Sequence, residues 1–109
     1  MEHVTLFRFR ALPGKRQAVL DHFEKWEREQ KSKATGFRRS ILVSGNSDPN
    51  EFMGGVRWDN TENYTKNANR PEQDRWFQEL RSYLVEDPVW FDGALEREVV
   101  GALERAPTA

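Results

Sequence analysis

A chain of 109 residues has room for one sizeable hydrophobic core and not for two. Its 17 Lys and Arg stand against 18 Asp and Glu with no long block of either sign, so the basic excess of a nucleic-acid surface is missing. The absence of cysteine excludes disulfides, thiolate metal sites and cysteine nucleophiles.

No apolar run approaches the roughly 20 residues that cross a bilayer. The segment Met1 to Arg10 also lacks the charged-then-apolar order of a secretory signal. Together these features predict a soluble, cytoplasmic protein with neither a nucleic-acid nor a membrane partner.

Residues 3–11 are dense in β-branched and aromatic types and predict a first strand, broken by Pro13-Gly14. From Lys15 to about Lys33 the period becomes helical, with Val19, Phe23, Trp26 and Gln30 on one side. Gly36 follows, suited to the left-handed turn after a helix. Phe37–Ser44 predicts a second strand. Gly45 to Asn50 is a turn cluster, and 51–59 predicts a third strand that completes an antiparallel hairpin.

Asn60 or Thr61 is positioned to cap a short helix near 61–68, with Glu62 favourable in its first turn. Pro71 suits an early position of a second piece spanning 71–85, because its missing N–H would have no intrahelical partner there. The segment from Glu86 to Gly93 reads as a loop carrying Val89, Trp90 and Phe91, and a last strand is expected over 94–100. The expected domain is residues 1–100, with 101–109 as a C-terminal tail. The order strand-helix-strand-strand-helix-strand predicts an α+β, ferredoxin-like βαββαβ fold, with a four-stranded antiparallel sheet and the helices on one face.

One helical layer leaves the other sheet face to be accounted for. Thr5, Phe7 and Phe9 fall on one side of the first strand, and Val4, Leu6, Arg8 and Arg10 on the other. Arg57, Glu96 and Glu98 join that second face under the predicted strand limits. Apolar residues mixed with charges of both signs predict a homodimer formed sheet to sheet, with Arg8, Arg10 and Arg57 near Glu96 and Glu98.

Several pieces occur in a familiar order: Pro13-Gly14-Lys15 after the first strand, Thr35-Gly36-Phe37 closing the long helix, and Trp58-Asp59-Asn60-Thr61-Glu62-Asn63-Tyr64. Pro71-Glu72 and Gly93-Ala94-Leu95-Glu96 follow. Over residues 2–100 the chain resembles the antibiotic biosynthesis monooxygenase-like family of dimeric α+β barrels. The resemblance implies oxygenation of a small planar aromatic of quinol or polyketide type without any cofactor. Its alternative is a non-catalytic homodimer that binds a small ligand or serves as an accessory subunit. Trp58 and Tyr64 match the Trp and Tyr that line the pocket in the family's polyketide oxygenases. Gly54 stands where those enzymes carry Asn, and no Arg occupies the expected place, although Arg75 and Arg81 are near. The haem-degrading branch needs a histidine in the later helical region, and neither His3 nor His22 is there.

The candidate catalytic residues are Tyr64, as hydrogen-bond donor or weak acid, and His22, as a general base bordering the cavity. Trp58 is expected to stack a planar substrate, and Trp90 and Phe91 to plug the barrel end or lid a pocket. His3, at the strand edge, carries less weight. Two histidines and no cysteine make no metal site. Gly54-Gly55 reads as a bulge or as space cleared for a ligand.

Overall fold

The alternation in the first strand decides which way the molecule faces. In the computed structural model, which describes residues 1–104, β1 is His3–Arg10, and its residues 3, 5, 7 and 9 are buried while 6, 8 and 10 are exposed. The other strands are β2 (Phe37–Ser44), β3 (Glu51–Trp58) and β4 (Val89–Ala94). The helices are α1 (Arg16–Glu29), α2 (Thr61–Ala68) and α3 (Pro71–Ser82). The sheet is antiparallel with strand order β2-β3-β1-β4, the ferredoxin-like arrangement.

The core lies between the sheet and the helices. Phe7, Phe9 and Phe52 meet Val19 of α1 and Leu80 and Leu84 from the α3 side, all buried. Phe9 and Phe52 stack at 5.3 Å. Three local devices fix the helices. Asn60 takes the Asn63 amide on its side-chain oxygen at 2.8 Å and caps α2. Pro71 opens α3. Gly36, at φ 83°, closes the approach to β2, and a Cβ there would lie 2.2 Å from Asp59 Oδ1.

The last strand differs from expectation. Val89 to Ala94 pairs with β1 from Arg8↔Val89 to His3↔Ala94, so Trp90 and Phe91 belong to a strand and not to a loop. Residues 95–100 alternate like a strand, but they lie beyond the end of β1 and form none. The pairing edge of β1 is already filled by the residues before them. Of the expected tail, Ala102–Glu104 form one exposed 3₁₀ turn, and 105–109 lie outside the described residues.

Gly54 and Gly55 cause no bulge, because both neighbouring ladders run through them in continuous register. Gly54 makes room for a side chain of the protein itself: a Cβ there would sit 2.4 Å from Phe7 Cζ. Among the described residues, no helix is long and apolar enough to cross a membrane.

The sheet face away from the helices is apolar at its centre. Leu6, Ile41, Val43, Met53, Val89 and Phe91 are all exposed there. The charges around them are engaged within the chain. Arg8 pairs with Glu51, and Arg10 with Asp48 and Glu51. Arg57 binds Glu2 at 2.8 Å and also Glu98, and its guanidinium holds the Glu2 carboxyl below the usual range. Glu96 is exposed just beyond β4.

Candidate functional site

Beneath the helices lies a cavity of about 480 Å³, open on one side. Ten of its lining residues are aromatic, so a flat apolar ligand would find ring faces and edges on most sides. All four tryptophans of the chain, Trp26, Trp58, Trp76 and Trp90, are among them. The strands supply the floor through Phe7, Phe9 and Trp58, and α1 and α3 supply the roof through Phe23, Trp76 and Phe77.

One end is polar. Thr5 lies opposite Asp92 across the β1–β4 ladder, and its hydroxyl donates to Asp92 Oδ1 at 2.6 Å. His3, two residues earlier on the same face, places Nε2 2.9 Å from Thr5 Oγ1 and 3.3 Å from Asp92 Oδ1. Because the Thr5 proton goes to Asp92, the bond between His3 and Thr5 needs a proton on Nε2. Nδ1 then accepts from the Thr61 hydroxyl at 3.2 Å, so one tautomer satisfies every contact.

Tyr64, in the first turn of α2, stacks on the His3 ring at 4.1 Å and meets Trp58 edge-on at 6.2 Å. Burial raises the pKa of its phenol. Hydrogen bonding by Thr5 opposes that shift, while the charge and hydrogen bonding of Asp92 add to it. At neutral pH Tyr64 is therefore a proton-bearing donor beside a carboxylate.

The expected site residues are distributed unevenly. Trp58, Tyr64 and Trp90 line the cavity together. Phe91, their neighbour in sequence, points to the opposite sheet face and is 67% exposed. His22 is buried between α1 and α3 and is not among the lining residues. Its Nε2 lies 2.7 Å from the Trp76 carbonyl and its ring stacks on Trp76 at 4.7 Å. Nδ1 lies 2.9 Å from Glu79 Oε2 without hydrogen-bond geometry. Arg75 is exposed beside Glu72, and Arg81 is bound to Asp87 at 2.6 Å; neither enters the cavity.

The sequence reading gave His3 little weight and passed over Asp92. Extending the Thr5-Phe7-Phe9 alternation back by two residues would have placed His3 on the buried face. Asp92 lay in the segment read as a loop. Among the described residues, no group of three His, Asp or Glu side chains is placed to hold a metal ion.

No family model and no curated protein matches the chain by sequence. Solved structures match it over most of its length. A conserved protein from Methanosarcina mazei Go1 superposes with TM-score 0.78 at 11% identity, covering 88% of this chain and 94% of its own. An antibiotic biosynthesis monooxygenase gives 0.72 at 13%, covering 89% and 100%. SnoaB, a cofactor-independent oxygenase from Streptomyces nogalater, gives 0.68 at 16%, covering 91% and 96%. At such identities the likeness speaks for the fold. The chain has the α+β fold of the antibiotic biosynthesis monooxygenase-like proteins, and the resemblance read from its sequence holds at that level.

Proposed function

We propose that this protein is a cofactor-independent monooxygenase-like enzyme acting on a small planar aromatic of quinol or polyketide type. The observation that carries this reading is the aromatic cavity with Trp58 in its wall and the protonated Tyr64 at its polar end. A flat substrate would lie against Trp58 and Trp90. Loss of a proton to solvent at the open side of the cavity would leave it as an enolate or aryloxide, and the Tyr64 hydroxyl would donate a hydrogen bond to the oxygen on which charge develops. Dioxygen supplies the oxidant: a ring methylene and O₂ become a ring carbonyl and water. His22 would act from outside the cavity wall, by fixing Trp76 through stacking and the carbonyl contact.

The working unit in this reading is a homodimer. Its support is the exposed apolar centre of the outer sheet face, where Leu6, Ile41, Val43, Met53, Val89 and Phe91 stand together on the side an antiparallel sheet can otherwise leave to water. The partner would cover Leu6, Met53 and Phe91. Arg8, Arg10, Arg57, Glu96 and Glu98 would then border the apolar contact.

A second reading, a non-catalytic homodimer that binds a small ligand, is favoured by one observation. No arginine or lysine lines the cavity among the described residues, and Gly54 gives its space to Phe7 where the oxygenases carry a polar side chain. Oxygen uptake with anthrones and hydroquinones separates the two. Saturable uptake that falls at least about tenfold in Tyr64→Phe, as expected when one oxyanion donor is lost, supports the enzyme. Saturable binding without uptake, unchanged in Tyr64→Phe, supports the binding protein.

A further inference from the structure

The charge of the cavity wall is one-sided. Asp74 and Asp92 line it, and no Lys, Arg or His does so among the described residues. Among arginines and lysines, Arg70 reaches the wall, bonding to the lining residue Asn67 at 3.1 Å. That guanidinium is already held by Glu72 at 2.9 Å and by the Gln30 side-chain oxygen at 2.7 Å. It offers no free positive charge to a ligand.

Asp92 is also built into place. Thr5 and His3, both buried, direct their hydrogen bonds to Oδ1 from the central strand, while the Asp92 side chain remains 49% exposed at the cavity. A carboxylate has about four acceptor positions, so two bonds on one oxygen leave capacity for a ligand's donor. The Thr5 hydroxyl and the His3 imidazole have their partners inside the protein. They therefore orient Asp92 and do not compete with it for a ligand.

We propose that Asp92, positioned by Thr5 and His3, is the polar anchor of the cavity, accepting a hydrogen bond from a hydroxyl on a neutral planar ligand and rejecting ligands that carry an anion. This deepens the reading of the cavity as a planar-aromatic site and rests on it. Binding energy comes from the aromatic walls, and Asp92 sets orientation and charge preference. A carboxylate on the ligand would meet like charge, with no arginine or lysine among the described wall residues to offset it. The hydroxyl would also lie beside Tyr64, which shares the Asp92 end of the cavity. Substrate oxygen, donor and acceptor would then gather at one place.

The test is calorimetric binding near neutral pH of three probes of one size: 1-naphthol, 1-naphthoate and protonated 1-naphthylmethylamine. Wild-type protein is expected to bind naphthol at least about tenfold more tightly than naphthoate, the scale of one charge-assisted hydrogen bond. Asp92→Asn is expected to weaken naphthol about tenfold and to shrink the naphthol-to-naphthoate ratio. Asp74→Asn, which leaves the anchor intact, is expected to keep most of that ratio. Thr5→Val is expected to lower the ratio while circular dichroism and melting temperature show the fold retained, a result that a merely structural role would not give. Equal binding of naphthol and naphthoate would overturn the anchor, as would a ratio unchanged in Asp92→Asn. Preference for the amine by more than about tenfold would overturn the hydroxyl as the recognised group. Oxygen uptake is a separate readout: its absence would remove the enzymatic reading and leave these affinities standing.

Discussion

Gly54→Ala tests the packing that shapes the cavity floor. The new Cβ would lie 2.4 Å from Phe7 Cζ and 2.6 Å from the Ile41 carbonyl oxygen. Both are far inside contact distance, and the second is backbone. Phe7 is only 7% exposed and is hemmed by Phe9 at 5.9 Å and Phe23 at 6.1 Å, so its ring cannot retreat without moving the core. Overpacking of this kind destabilises by about 1–3 kcal/mol. For a domain of this size that lowers the melting temperature by roughly 4–8 °C per kcal/mol. The assay is urea or thermal unfolding at fixed protein concentration. Phe7→Leu in the same chain removes the Cζ contact but not the one with Ile41, so it should recover part of the loss, with coupling of about 0.5–3 kcal/mol in a double-mutant cycle. Gly55→Ala is the control, because its Cβ would press on the end of the exposed Leu6 side chain, 3.0 Å away, and otherwise meet the Thr5 carbonyl oxygen at an ordinary 3.8 Å; it should change stability by less than about 0.5 kcal/mol. A Gly54→Ala protein as stable as wild type would refute the reasoning.

Three further outcomes are expected. Light scattering after size-exclusion chromatography should give twice the 12.8 kDa chain mass at micromolar concentration, and Met53→Asp should shift it to a single chain; a wild-type monomer would remove the dimer. Asn60→Ala should lower stability by about 1 kcal/mol in urea unfolding and loosen α2, which carries Tyr64, whereas Asn60→Asp should lose less. Tyr64 and Tyr83 both have pKa values raised above 10.0, chiefly by burial, so the unfolded chain releases these protons first. Their contribution should be complete below about pH 10 and lost as pH rises through the folded values. Ultraviolet tyrosinate titration should show delayed ionisation that reverts in denaturant; ionisation at the same pH in both states would contradict it.

Much of the fold was legible because its signals are local. The period change at Lys15, the turn cluster before Glu51, the Asn60 cap and Pro71 each act within a few residues, and the structure places them as expected. The last strand was not legible for a non-local reason. Val89-Trp90-Phe91 is a short apolar run between Pro88 and Asp92-Gly93, a pattern that suits a loop or a strand equally. Only the free edge of β1 decides between them, and it takes 89–94.

The same distinction governs the site. Trp58 and Tyr64 share a strand end and the first turn of the next helix, so their meeting could be read from spacing. His22 could be read as lying beside Phe23 on the apolar side of its helix, but the Trp76 carbonyl that receives its ring comes from 54 residues away. Asp92 meets His3 and Thr5 across 89 and 87 residues, and no local pattern announces such a cluster.

The central claim is that the cavity takes a small planar aromatic against Trp58 at the Tyr64 end. Because all four tryptophans line it, their indole N–H resonances in a ¹⁵N-labelled sample report its occupancy directly. On titration with 1-naphthol the account predicts saturable shifts, with the Trp58 and Trp90 signals among those that move most. Movement confined to surface amides, with all four indole signals stationary, would contradict it.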